Sequence, residues 1–274
     1  MSTDISANPT LTNQETPITK GRFTGKVALI TGASDRGIGG AIARRLSDEG
    51  AAVSLVSRSE PTNLLKRLRK SHSGRSVFTL GDVCQKNDIT RCIDATMEEF
   101  GQIDVLINNA GIDESGPLDT FSDDDWARVL DVNLTAVMRM TRAVLPYLPE
   151  PGGAIVNVAS ALALGGCTNF TAYSASKAGL IGFTQSLAAE ICGKRQRAVS
   201  VAPALVVTPM SRRYVGELND ATKNAIQQAH PLGVGFPDDV AAAVAFLASD
   251  DARWITGITL PLGWMPTFAL PLVH

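Results

Sequence analysis

The chain has 274 residues, a length that fits one α/β domain with a sizeable core and no need of a metal or disulfide staple. Hydrophobic residues make up 45% and charged residues 19%, which excludes a disordered chain and is ordinary globular usage. The formal net charge of -2 points away from nucleic acid or another polyanion as partner, and no apolar run is long enough to span a bilayer.

Residues 1–20 are polar and lack the apolar core of a signal peptide, so a mobile arm ahead of a soluble, cytoplasmic domain is expected. The domain itself then occupies 21–263, and 264–274 form an apolar tail expected to pack on its own subunit or a neighbour. From Lys26 onward, short apolar runs of strand length alternate with helical patterns. Lys26–Thr31 reads as a first strand, followed by a glycine-rich turn and a helix over Gly39–Glu49. Ala52–Ser57 is a second strand, with Pro61 suited to the first position of a short basic helix reaching Lys70. Ser76–Leu80, a helix over Lys86–Phe100 and a strand over Ile103–Asn108 come next. Ser122 can cap a helix whose first turn carries Asp123, Asp124 and Asp125, and that helix is expected to run to Leu145 and stop near Pro146. Ala154–Ala159, a long helix over Thr171–Cys192, Ala198–Ala202, a helix over Asp238–Ser249 and Ile258–Leu262 complete the pattern.

Alternation of this kind, with strands apolar on both faces, predicts an α/β Rossmann-type domain. Its sheet is doubly wound and parallel, with about seven strands and helices on both faces. Ligands of such sheets bind beyond the carboxyl ends of the strands. No C-x-x-C pair occurs among Cys84, Cys92, Cys167 and Cys192, which are expected to be buried free thiols. His72, His230 and His274 offer no ligand spacing, so no metal site is expected.

Chemistry-bearing residues fall at those strand ends. The turn Thr31-Gly32-Ala33-Ser34-Asp35-Arg36-Gly37-Ile38-Gly39 lies between the first strand and the first helix, where glycines admit a pyrophosphate to a helix N-terminus. The second strand ends in Ser57-Arg58-Ser59 with no acid for a ribose 2′-hydroxyl. Arg58, flanked by Arg36, can instead pair with a 2′-phosphate; the lesser alternative is that both arginines are solvated surface charges. Asp82 and Val83 follow the third strand, where a short acid can accept from an adenine amino group. Asn108-Asn109-Ala110-Gly111 follows the fourth, with small residues for close approach and amides able to lock neighbouring strands. On the long helix, Tyr173 and Lys177 are one turn apart and share a face. A tyrosine with an ordinary pKa of about 10 is a poor acid–base group, and a neighbouring ammonium stabilises its phenolate. Ser160 closes the fifth strand, where its hydroxyl can hold a substrate oxygen.

Taken in order, these residues resemble the short-chain dehydrogenase/reductase family from about Lys26 to Gly263. Asn133 in Asp-Val-Asn-Leu, Pro203, Thr208-Pro209-Met210, Pro237–Val240 and Trp254–Gly257 add to the likeness. The resemblance implies an oxidoreductase using NADP(H), with NAD(H) possible, that moves hydride between the nicotinamide and a carbonyl or alcohol carbon. It further implies that Tyr173 is the proton donor in reduction and that Lys177 tunes it and binds the nicotinamide ribose. Ser160 polarises the carbonyl, and Asn133 holds a water of a proton relay. The cofactor is implied to meet Gly32, Ser34, Asp35, Arg36, Gly37, Ile38, Arg58, Asp82, Val83, Asn109, Ala110, Gly111, Tyr173, Lys177, Pro203, Val206 and Thr208.

Three features depart from the family pattern: the glycine turn is one residue longer, Pro203 is followed by Ala204 in place of glycine, and the last strand leads into Gly263-Trp264. Leu162, Leu164, Phe170 and Tyr214 suggest a partly apolar substrate pocket, or else core. The general likeness is to 3-oxoacyl-acyl-carrier-protein reductases, although Leu187-Ala188-Ala189-Glu190 lacks the basic residue common there. Sugar, polyol or other secondary-alcohol dehydrogenases, and a non-catalytic nucleotide-binding protein, are the alternatives. Apolar positions beyond one face on the helices near Asp124–Leu145 and Thr171–Cys192 suggest a homotetramer, or a homodimer, with a small-molecule substrate and neither nucleic acid nor membrane as partner.

Overall fold

The computed structural model describes residues 21–215 and 220–263. The expected arm and the apolar tail lie outside the described residues. Seven parallel strands form one sheet in the order β3-β2-β1-β4-β5-β6-β7. They are β1 (Val27–Thr31), β2 (Ala52–Ser57), β3 (Ser76–Leu80), β4 (Val105–Asn108), β5 (Ala154–Val158), β6 (Arg197–Pro203) and β7 (Thr259–Leu262). Every residue of β1, β4, β5 and β6 is buried, because helices cover both faces and leave no wet side for a polar residue to point to. The edge strands β3 and β7 are only partly covered.

One helical layer holds α1 (Ile38–Asp48), α2 (Thr62–Leu68) and α9 (Pro237–Ala248), which pack Ile42, Leu46, Leu64, Val240, Val244 and Leu247 against Ile30, Leu55 and Val199. On the other face α3 (Lys86–Phe100), α5 (Ala136–Val144) and α6 (Thr171–Ile191) pack Ile93, Met140, Val144 and Leu187 against Leu29, Leu106 and Ile155. The chain reverses its direction of winding between β1 and β4. The registers Val27↔Ala52 and Ala28↔Val105 bring the ends of β1, β2 and β4 level at that point, opening the crevice where such sheets bind ligands.

Several local expectations need correction. The helix expected to run unbroken to Leu145 is α4 (Asp123–Leu130), a single π turn over Asp131–Thr135, and then α5, closed by a 3₁₀ turn over Leu145–Tyr147. Ser122 does cap α4, its Oγ accepting the Asp125 amide at 3.0 Å. Pro61 occupies the cap of α2 and not its first turn. Two further helices, α7 (Pro209–Val215) and α8 (Asp220–Ala229), fill the stretch after β6. All four cysteines are free thiols, yet only Cys92 is buried: Cys84 is half-buried, and Cys167 and Cys192 are exposed because they sit at a loop and a helix end.

Inside the sheet, Asn108 Nδ2 donates to Asn157 Oδ1 at 2.9 Å and to Thr141 Oγ1 at 3.1 Å, and Asn157 Nδ2 donates to Thr184 Oγ1 at 2.8 Å. These amides lock β4 to β5 and tie both to α5 and α6, as the sequence suggested for the asparagines after the fourth strand. Each amide nitrogen has a partner, so these polar groups enter the core hydrogen-bonded.

Candidate active site

The crevice is held at its centre by Thr31, whose Oγ1 accepts the amides of Asn109 and Ala110, each at 3.0 Å. Asn109 Nδ2 returns two bonds, to the carbonyls of Thr31 and Gly32, also at 3.0 Å. The loops after β1 and β4 are therefore one rigid unit. Gly32 has φ +70°, and a Cβ there would lie 2.6 Å from Ala110 Cα, so only glycine serves. Farther along the turn, a Cβ on Gly37 would lie 2.5 Å from Ser34 Oγ, and one on Gly40 would overlap the Ser34 carbonyl. The longer turn thus closes on itself through Ser34. Gly37 caps α1 without a side chain, which leaves the first amides of that helix free of side-chain competition for an anion.

The predicted dinucleotide contacts divide into two groups. Arg36 and Arg58 are exposed, and neither has an ion-pair partner among the described residues. Asp35 differs: Oδ1 accepts the Leu64 amide and Oδ2 accepts Asn63 Nδ2, both at 2.8 Å. Desolvation works to raise its pKa, but the bonds from Leu64 and Asn63 outweigh it and hold the carboxyl below its ordinary value. Asp82 accepts the Cys84 amide at 2.9 Å and its own amide donates to Asp88 at 2.8 Å, which fixes the turn after β3 with Val83 half-buried beside it.

At the reacting end, α6 carries Tyr173 and Lys177 on one face, with Lys177 Nζ 5.8 Å from the centroid of the Tyr173 ring. Lys177 is 4% exposed, and Nζ donates to the Val158 carbonyl at 2.8 Å. Burial pushes its ammonium down to about 8, so it holds its proton loosely near neutral pH. Asn133 sits inside the π turn and is wholly buried. Its Oδ1 accepts the Ile112 amide at 2.9 Å, and its Nδ2 donates to the Ile112 carbonyl at 2.9 Å and to Ser176 Oγ at 3.0 Å. Ser176 Oγ donates to the Tyr173 carbonyl at 2.7 Å, which links Asn133 to the tyrosine's own turn of helix. A π turn widens the helix by one residue and is found most often where function requires a side chain to be re-aimed. Gly111 backs onto this group: a Cβ there would lie 3.1 Å from Asn133 Oδ1 and 3.4 Å from Lys177 Nζ, filling a cradle that is open without one.

Ser160 Oγ accepts the Leu162 amide at 3.2 Å and caps the 3₁₀ turn Ala161–Ala163. That bond does not use the hydroxyl proton. Phe170 meets Tyr173 edge-on with centroids 6.2 Å apart, so it lines the site. Leu164 is 43% exposed and does not belong to the core, while the side chain of Tyr214 lies outside the described residues. Pro203 at the end of β6 and Val206 beyond it are buried, and Thr208 is half-buried. That segment is held by residues that sequence patterns did not single out. Ser211 Oγ donates to the Val206 carbonyl at 2.7 Å and accepts the Thr208 amide at 3.0 Å; His230 Nε2 accepts the Leu205 amide at 3.0 Å while Nδ1 bonds the Ile226 carbonyl. The helical Thr-Pro-x-Ser spacing was a readable cue for Ser211; a lone histidine offers none.

A dinucleotide fits these residues: the open cradle at Gly111, the uncapped start of α1 and the close approach at Gly32 are what a pyrophosphate and a nicotinamide ribose require. Residues 32–262 match the family model described as Enoyl-(Acyl carrier protein) reductase. The chain is 36% identical over 240 residues to the 3-oxoacyl-acyl-carrier-protein reductase FabG of Thermotoga maritima, covering 86% of this chain and 95% of that one. It is 37% identical over 242 residues to the dehydrogenase/reductase SDR family member 4 of Caenorhabditis elegans, covering 86% and 93%. Among solved structures, that of levodione reductase aligns with a TM-score of 0.82 at 31% identity, over 88% of this chain and 97% of that one. The chain belongs to the short-chain dehydrogenase/reductase family of nicotinamide-dependent oxidoreductases acting on CH–OH and C=O groups.

Proposed function

We propose that this protein is an NADPH-preferring ketoreductase that converts a small ketone, a 3-oxoacyl thioester foremost, to a secondary alcohol, with Tyr173 as proton donor. One observation carries the reading: hydrogen bonds join Asn133, Ser176 and the Tyr173 turn, with buried Lys177 beside the Tyr173 ring, beneath an open cradle. A bound reduced nicotinamide supplies the hydride. The protein's residues do the rest. Ser160 donates its unused hydroxyl proton to the substrate oxygen and holds it against Tyr173. Tyr173 Oη gives its proton to that oxygen as negative charge develops there. Lys177, charged at neutral pH but poised near 8, favours the phenolate that results. Both hydrogens of the Asn133 amide are occupied, which leaves one Oδ1 lone pair to hold a water that returns the proton from solvent.

The preference for NADPH rests on Arg36 in the glycine turn and Arg58 just after β2, both exposed and free of ion pairs among the described residues, with no acid at the strand end for a 2′-hydroxyl. Ala189 on α6, where many carrier-protein reductases have a basic residue, favours a second reading in which the ketone is free and no carrier protein docks. Among the described residues, no helix is long and apolar enough to cross a membrane. Assembly into a homotetramer through α5 and α6, expected from apolar positions beyond one face of those helices, is tested by light scattering at micromolar concentration. For the activity, the test is Tyr173→Phe. Turnover of a 3-oxoacyl thioester or a cyclic ketone falls by about 10²-fold or more while cofactor affinity stays; equal turnover in the variant would remove Tyr173 from the chemistry.

A further inference from the structure

The glycine turn is one residue longer than the family spacing, and Asp35 in that turn directs its carboxylate to α2. Its two carboxylate oxygens hold Leu64 N and Asn63 Nδ2 on α2. The reason lies in α2 itself. Its cap is Pro61, which has no oxygen to offer the orphan amides of the first turn. Asp35 supplies the missing cap from 29 residues upstream. The segment between the end of β2 and α2 carries Arg58 and is tightened by Ser57 Oγ donating to the Ser59 carbonyl at 2.7 Å. One end of that segment is fixed by the sheet and the other by Asp35, whose next neighbour in the chain is Arg36.

We propose that Asp35 is a positioning residue for cofactor selectivity: by capping α2 from the glycine turn it sets Arg36 and Arg58 at a fixed separation and keeps its own charge from pairing with either. This rests on the reading of those arginines as the 2′-phosphate site. An unclamped carboxylate next in sequence to Arg36 would be free to pair with it and to repel a phosphate. Held by α2, it does neither.

The test uses direct binding and amide exchange. Dissociation constants of NADPH and NADH are measured by nicotinamide fluorescence for the wild type, Asp35→Ala, Asp35→Asn and Arg58→Ala, with hydrogen exchange at Leu64 in the cofactor-free proteins. Asp35→Ala weakens NADPH about tenfold, leaves NADH within about twofold, and speeds exchange at Leu64. Asp35→Asn keeps an acceptor for the Leu64 amide, so it retains most of the preference and the slow exchange. NADPH binding unchanged or tighter in Asp35→Ala, in a wild type that prefers NADPH and loses that preference in Arg58→Ala, overturns the role of Asp35 alone. A wild type without NADPH preference sinks the arginine reading and this inference together. If Asp35→Ala does not fold, Asp35→Asn decides: full loss of preference with slow Leu64 exchange would mean that charge acts and the clamp does not.

Discussion

Lys177 is a cation placed where cations are costly, and its replacement by methionine separates what the site needs from what the fold needs. Burial lowers the ammonium from 10.5 to about 8, a difference equivalent to about 3 kcal/mol of unfavourable charge burial at neutral pH. Methionine removes that cost and leaves the Val158 carbonyl without its donor, a loss of about 1–3 kcal/mol. The cofactor-free Lys177→Met variant is therefore expected to be as stable as the wild type at pH 7 or up to about 2 kcal/mol more stable, with turnover reduced by about 10²-fold or more. The pH dependence is sharper. Between the folded value near 8 and the unfolded value of 10.5, the unfolded chain binds the proton and the folded chain does not, so stability due to this group rises with pH. Urea unfolding of both proteins followed by circular dichroism, at pH 7 and pH 10, measures the difference between them. It should shift toward the wild type by about 2–3 kcal/mol as pH rises. A difference that stays flat or moves the other way would refute the assignment of a strained, buried ammonium.

Two other outcomes follow from packing and exposure. Gly32→Ala meets both a positive φ and a Cβ 2.6 Å from Ala110 Cα, so it should lose about 2–4 kcal/mol of stability and nearly all cofactor affinity, read by thermal unfolding and fluorescence titration. A thiol reagent at pH 7.5 should modify the exposed Cys192 and Cys167, the latter more slowly because partial burial raises its thiol pKa, and spare the other two until the protein is unfolded. Burial, reinforced by the Asp82 and Asp131 carboxylates, pushes Cys84 up to about 12, and burial pushes Cys92 up to about 11. Rapid labelling of a third thiol in the native protein would contradict this.

The layers of the fold were readable because strands buried on both faces leave an unmistakable apolar run, as in Val27–Thr31 and Ala154–Val158. Tyr173, Lys177, Asn133 and Ser160 stood out because their identities and order suit proton transfer, and the structure brings the first three together with Ser176 and Gly111. What stayed hidden depends on distance through space. Asp35 looked like a phosphate neighbour because sequence alone cannot say that α2 lacks a cap and lies within reach. His230 looked idle because its partners, Leu205 and Ile226, are set by the path of the chain after β6. The π turn escaped notice because a helical period with one surplus residue still reads as a helix.

That surplus residue matters beyond Asn133. The Ala136 amide reaches back five positions to Asp131, so every residue after the π turn is rotated by about 100° relative to an uninterrupted helix. The apolar stripe of α5 is consequently out of phase with that of α4, and each helix answers to a different neighbour. α5 is committed to the sheet, whereas α4 packs against α6. Asn133, wholly buried in the π turn and bonded to Ile112, is the joint between the loop that leads into α4 and the frame that begins at Ala136.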